Sequence, residues 1–166
     1  WHFLKECDKH GWIIRKNRPM AWCPRCGTSL SEHEMSSSYH EVEHTAVFIR
    51  LPVKNKDFKM VTWTTTPWTL AANVALAVNP EFDYVEVDFH GEKLVLGKDR
   101  LKILKEDVKI LKEFKGSELV GLEYETCFPE LSEENFAHKI VAWDEVDNVE
   151  GSCVVHIAPG CGAEDF

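Results

Sequence analysis

The spacing of apolar positions changes along this chain. From Trp1 to His10, Phe3, Leu4 and Cys7 recur at helical spacing and Gly11 follows, which predicts a helix with a stop. Trp12 to Arg15 reads as a short strand, closed by a turn at Asn17, Arg18 and Pro19. After the small-residue stretch Ser36 to Ser38 the period shortens to two. Ala46–Val53, Phe58–Thr65, Tyr84–Phe89, Lys93–Leu96, Val108–Phe114, Lys139–Trp143 and Cys153–Ala158 all read as strands. In Tyr84–Phe89, for instance, Val85, Val87 and Phe89 alternate with Glu86 and Asp88, and Gly91 then turns the chain. Asp99 to Lys105, with Leu101 and Leu104, predicts a helix, while Glu118 to Asn135, with Pro129, reads as irregular. Many short strands and few helices predict an α+β fold that is mainly β, a small barrel or sandwich. The boundary falls at residue 38: 1–38 is an N-terminal helix with a knuckle-like connecting segment, and 39–166 is the β-rich domain. No internal repeat interrupts this organisation.

The segment Thr62 to Asn73, TWTTTPWTLAAN, breaks the strand pattern in an informative way. Thr64, Thr65 and Thr66 suit an extended backbone. Thr66 followed by Pro67 has the N-cap and first-turn signature of a helix start, and Asn73 suits the position after its end. A strand that turns at threonines and leaves as a short helix collects hydroxyls and unpaired N–H donors in one place, as a polar or anionic ligand requires.

Composition narrows the function classes. Of 166 residues, 44% are hydrophobic, enough for a packed core, and the net charge of −9 disfavours a broad nucleic-acid-binding surface. The positive charge that exists clusters early, at Lys5, Lys9, Arg15, Lys16, Arg18 and Arg25, where a local phosphate contact stays open. No apolar run reaches the length of a membrane span, so no membrane partner is expected. A chain starting at Trp1 and ending at Phe166 reads as a piece of a longer protein.

Among six cysteines, only Cys23 and Cys26 have diagnostic spacing; Cys7, Cys127, Cys153 and Cys161 are scattered, a poor fit to a secreted disulfide framework and a better one to a reducing cytoplasm. Cys-Pro-Arg-Cys-Gly has the turn chemistry of a zinc ribbon, but it supplies half of a four-ligand site. His33, His40, Cys7 and His10 have no strong spacing to complete it.

The last segment, GSCVVHIAPGCGAEDF, predicts a strand in which His156 shares a face with Val154 and Ala158. A loop with Pro159, Gly160 and Gly162 follows, then Glu164 and Asp165. Strand, histidine, glycine loop and carboxylate form a plausible site wall. A lone histidine in an apolar strand is by itself more often a satisfied core residue. Cys161 near His156 raises a Cys/His hydrolase, but the spacing is not diagnostic and a turn explains the cysteine.

Three stretches together resemble one family: WTTTPWTLAAN at Trp63–Asn73, running on through VALAVNPEFDY; GSCVVHIAPGCGAEDF at Gly151–Phe166; and WCPRCGTSLSEHE at Trp22–Glu34. They resemble the editing (CP1) domain of the class I isoleucyl-tRNA synthetases. The sister editing domains for valine and leucine carry an arginine after two threonines, where this chain has Thr66.

The resemblance implies a barrel-like editing domain that hydrolyses valine misattached to isoleucine tRNA, with valyl-adenylate as a further candidate substrate. It implies that Asp165 pairs with the free α-ammonium of the amino acid and that Thr65 and Thr66 hold substrate or attacking water. Thr64 and His156 would shape the side-chain pocket, His156 as the wall rejecting the extra methylene. Glu164 is the weaker acidic neighbour, and Trp68 and Asn73 stand at the substrate's edge as loop supports, Trp68 in the core. Hydrolysis needs no cofactor on this view. Zinc, ATP and magnesium belong to the parent protein, the ligands completing Cys23 and Cys26 lie after the editing insertion, and no nucleotide-binding signature of the class appears here. Partners would be the misacylated tRNA and the catalytic core of the same polypeptide, in the cytoplasm. Two alternatives remain: a zinc-ribbon RNA-binding module without catalysis, and the editing domain of a sister synthetase.

Overall fold

The computed structural model describes residues 1–37, 39–133 and 136–166. The first helix, α1 (His2–Lys9), ends where Gly11 takes a positive φ of 67°. It buries only Cys7; Phe3 and Leu4, expected on its inner face, are exposed. The expected strand at Trp12–Arg15 does not form, and Trp12 stacks on His10 instead. Two short strands, β1 (Trp22–Cys23) and β2 (Thr28–Ser29), pair antiparallel around the Cys-Pro-Arg-Cys-Gly turn. Next comes α2 (Glu32–Ser36), whose capping box joins Ser31 and Glu34, so Ser36 lies in a helix and not in a linker. Ser38, the expected boundary, lies outside the described residues.

Eight strands form the main sheet: β3 (Val47–Pro52), β4 (Lys59–Thr64), β5 (Ala75–Val78), β6 (Asp83–Phe89), β7 (Glu92–Gly97), β8 (Lys109–Lys115), β9 (Lys139–Ala142) and β10 (Val154–Ile157). The order is β8-β6-β7-β4-β10-β5-β9, with β3 also paired to β4, and the sheet curls into a half-barrel. Each expected strand from Ala46 onward is present. β5 is an addition: its ALAV run is too short to signal by alternation, and all but its first residue are buried. A short helix, α3 (Gly116–Leu119), and a 3₁₀ turn (Pro129–Leu131) interrupt the segment expected to be irregular; Glu134 and Asn135 of that segment lie outside the described residues.

Alternation along the strands fills both faces of the sheet. Met60, Tyr84, Val95 and Val154 point into one core with Leu76, Tyr124 and Ile140. Their neighbours Val61, Val85, Val87, Leu94 and Leu96 enter a second core, covered by Leu101 and Leu104 from a 3₁₀ helix (Lys98–Leu104) where an α-helix was expected.

The sheet forks at β4. Along one edge it pairs with all of β3, from Val47↔Thr64 to Pro52↔Lys59. Along the other it pairs with β7 at Lys59 and Met60, then with β10 at Trp63. Beside the fork Thr62, fully buried, donates from its hydroxyl to the Val154 carbonyl at 2.8 Å. The end of β4 and β10 therefore run side by side and parallel, which brings the threonine segment next to His156.

Candidate functional site

Past the end of β4 the chain enters a 3₁₀ helix, Pro67–Ala72. In a 3₁₀ helix residues three apart eclipse one another, so Thr66 and Thr69 share an edge. The Thr69 amide and hydroxyl both donate to the Thr66 carbonyl, at 3.0 and 2.8 Å. The Thr66 amide donates to the Thr64 hydroxyl at 3.1 Å, and the hydroxyls of Thr64, Thr66 and Thr69 run in series at 3.3 Å spacings. Two local expectations change here. Asn73 closes the helix in an extended conformation, φ −62° and ψ 129°, not a left-handed one, and Thr66 makes no side-chain cap.

This ledge forms one wall of a cleft of about 340 Å³. His156 of β10 forms the back, 8% exposed. Its Nε2 lies 2.8 Å from the Thr69 hydroxyl and its Nδ1 lies 3.4 Å from the Asn73 amide nitrogen. Burial holds its pKa below the ordinary imidazole value, against the opposing charge of Asp165. Both ring nitrogens are engaged, so His156 is not set up to activate Cys161, although that thiol also lines the cleft. The alternation read from the sequence holds: Val154 and Ala158 are buried on the His156 face.

Asp165 lines the same cleft from the loop after β10. Its Oδ2 accepts the Ala158 amide at 2.9 Å, which folds the glycine loop back on the strand end. A side chain at Gly162 would crowd this carboxyl, since a Cβ there would meet Asp165 Cγ at 3.3 Å.

The far wall comes from Trp143 and the loop of Glu145, Asp147, Glu150 and Gly151, which pattern reading did not single out. It is pinned from both sides. Asn79 donates to the carbonyls of Asp144 and Val146, and Arg100 donates to those of Val149 and Gly151. Gly151 takes φ +61° with Trp63 packed over it. Four carboxylates and no lysine or arginine line the cleft among the described residues. Such a field attracts an ammonium group and repels a phosphate.

The structure thus brings Thr64, Thr65, Thr66, His156 and Asp165 together. Asn73 sits behind the wall, bonded to His156 and touching the cleft only through it. Two expected substrate-binding residues lie elsewhere. Trp68 is 67% exposed, edge-on to His44, and so is neither core nor lining; Glu164 is exposed and outside the lining. Thr69, not named as a site residue from the sequence, lines the cleft instead. The signal was available, since Thr66 and Thr69 are three apart after a Thr-Pro start.

Away from the cleft, Cys23 and Cys26 form a tight knuckle. The Gly27 amide donates to the Cys23 carbonyl at 2.9 Å and the Cys26 amide approaches Cys23 Sγ at 3.4 Å. That amide, with the Cys26 side chain, lowers the Cys23 thiol pKa. No group of three or more metal-ligating side chains occurs among the described residues.

No family profile matches the chain. Curated relatives do. The isoleucine–tRNA ligase of Clostridium kluyveri is 41% identical over 165 residues, 99% of this chain; that of Clostridium novyi is 43% identical over 167 residues; that of Picrophilus torridus is 38% identical across the whole chain. Along nearly its whole length the chain is similar to one segment of these isoleucine–tRNA ligases. It spans 16% of the length of these isoleucine–tRNA ligases. Among solved structures, GlLeuRS-CP1 aligns with a TM-score of 0.62 at 14% identity, over 73% of this chain and 57% of that one. The editing domain of the Plasmodium knowlesi (P.knowlesi) cytosolic leucyl-tRNA synthetase aligns with a TM-score of 0.60 at 19% identity, over 72% and 58%. At such identities the likeness is one of fold alone, and the fold shared is that of these CP1 and editing domains.

Proposed function

We propose that the cleft hydrolyses the ester of valine misattached to isoleucine tRNA, and that it acts on valyl-adenylate as a second substrate. One observation carries this reading: a hydroxyl ledge at Thr64–Thr66 and a carboxylate at Asp165 share one cleft that holds no cation among the described residues. Asp165 receives the α-ammonium through a charge-assisted hydrogen bond. Thr65 and Thr66 hold the ester and the attacking water with hydroxyls and backbone N–H groups. An aminoacyl ester is already activated, so positioning and oxyanion stabilisation supply the acceleration without a protein nucleophile. The neutral imidazole of His156, backed by Thr69, forms the wall against which isoleucine does not fit. Such a second site is needed because one methylene is worth only about 1–3 kcal/mol in an apolar pocket, a general figure established for this very pair of amino acids and not obtained from this structure.

In this reading the tRNA body and the synthetic core of the same polypeptide are the partners, the setting is cytoplasmic, and the metal plays no part in hydrolysis. The Cys23–Cys26 knuckle fits half of a zinc site, thiolates presented by amide N–H groups, with its other ligands supplied from beyond this chain. ATP and magnesium serve the parent ligase alone. Residues 1–38 act as the connection into the core and 39–166 as the hydrolytic unit.

The test is deacylation of valyl-tRNA for isoleucine, compared with isoleucyl-tRNA and with the threonyl ester. Rapid loss of valine and retention of isoleucine supports the proposal. Equal rates in the parent and in Asp165→Ala overturn it.

A further inference from the structure

Tyr124 is buried, 1% exposed, in the segment between α3 and β9, and no feature of the sequence marks it. Its hydroxyl donates to Asn73 Oδ1 at 2.5 Å. The other end of that amide, Nδ2, donates to the Ala75 carbonyl at 2.8 Å and faces His156 Nδ1 at 3.4 Å. A carbonyl can only accept, so the amide nitrogen must point to Ala75 and the amide oxygen to Tyr124. His156 Nδ1 then faces a donor and carries no proton. Its proton resides on Nε2, which donates to Thr69, whose own hydroxyl proton goes to the Thr66 carbonyl. Every donor and acceptor from Tyr124 to Thr66 is matched in this one arrangement and in no other.

We propose that Tyr124 is a positioning residue of the cleft, which through Asn73 fixes the neutral Nε2–H tautomer of His156 and thereby the rotation of the Thr69 hydroxyl. This rests on the hydrolytic reading for its consequence but not for its geometry. Other groups facing the imidazole act in a different sense. Asp165 and Cys161 lie on the loop after β10, and Glu145, Asp147 and Glu150 lie across the cleft. The Asp165 carboxylate favours protonation of His156; the Tyr124–Asn73 pair opposes it by offering a donor where an imidazolium would need an acceptor.

The experiment is nitrogen-15 NMR of the labelled histidines in this chain, His156 assigned by its loss in His156→Gln, with titration from pH 8 to pH 5. The parent shows Nε2 protonated and Nδ1 bare. Tyr124→Phe keeps the ring but removes the donor to Asn73 Oδ1, so the Ala75 carbonyl alone still holds the amide and its oxygen turns toward an imidazolium Nδ1–H at lower cost; the proton affinity of His156 rises about three- to tenfold. Asn73→Asp, which offers acceptors only, raises it further and serves as the second variant should Tyr124→Phe not fold. Identical tautomers and titrations in parent and both variants overturn the proposal, since a merely structural tyrosine lowers stability without moving the ring's titration. In the deacylation assay the loss in Tyr124→Phe grows toward acid pH; a uniform loss at all pH values also overturns it. The NMR result does not need the chain to be a hydrolase, so failure to deacylate valine counts against the proposed function and leaves the titration to decide the role of Tyr124.

Discussion

Thr69 and His156 stand 87 residues apart in sequence, and their side chains meet at 2.8 Å across the junction of a 3₁₀ helix and β10. That contact joins the two halves of the cleft. It exists because β10 runs parallel to β4 at Trp63↔Val155, so the end of one strand and the middle of the other face the same space. A valine at position 69 keeps the shape and removes the hydroxyl, leaving the His156 Nε2–H buried without a partner. We expect Thr69→Val to cost about 1–3 kcal/mol in urea denaturation, and to weaken discrimination between valyl and isoleucyl esters measured side by side.

Asp165 has two duties, and they separate by substitution. Asp165→Asn keeps an acceptor for the Ala158 amide but loses the charge. Asp165→Ala loses both. If the ammonium contact matters, both variants lose about 10- to 100-fold in valyl-tRNA hydrolysis, the value of a hydrogen bond to a charged group. Only the alanine variant also loosens the glycine loop, read as faster amide exchange at Ala158.

The buried histidines set an acid limit on stability. Burial lowers the pKa of His156 and of His138 below 6.5, the value for an unfolded chain. A group whose folded pKa is depressed in this way binds protons more readily when unfolded, so stability is fully present above pH 6.5 and is lost as pH falls through the folded pKa values. Thermal melts at pH 7.5 and pH 5.5 should show the drop, and His156→Gln should reduce it.

Gly151 supports the far wall in a way that alanine cannot copy. Its φ is +61°, and a Cβ would meet Trp63 Cε3 at 2.9 Å. Gly151→Ala should cost about 1–3 kcal/mol from backbone strain and overpacking. Valyl-tRNA hydrolysis should fall with it, because Trp63 must shift into the cleft.

Metal content tests the knuckle. After dialysis, elemental analysis of this chain is expected to find well under one zinc per molecule, and chelation is expected to leave deacylation unchanged. A ratio near one would mean that ligands within residues 1–166 complete the site.

Some of this molecule was legible along the chain. Alternation located β3, β4 and β6 through β10, because a strand half buried on each face must repeat every two residues. Thr64–Thr66 stood out as a threonine run ahead of a Thr-Pro helix start, His156 and Asp165 were singled out by the family resemblance of the last segment, and the cleft does unite them. What stayed hidden depends on long-range geometry. β5 is a short run of small and branched residues that becomes a strand only because β9 and β10 pair with it on both sides. Trp12–Arg15 has the composition of a strand but no partner edge. The carboxylate wall at Glu145, Asp147 and Glu150 is an ordinary acidic loop until Asn79 and Arg100 pin its carbonyls. Tyr124 and Asn73 lie 51 residues apart, and a hydrogen bond at that separation leaves no periodic trace. Local chemistry and spacing therefore determined which residues can form strands, turns and a polar ledge. Only the tertiary structure decided which of them share a cleft and which proton His156 keeps, because hydrogen-bond partners and electric fields are set by distances through space.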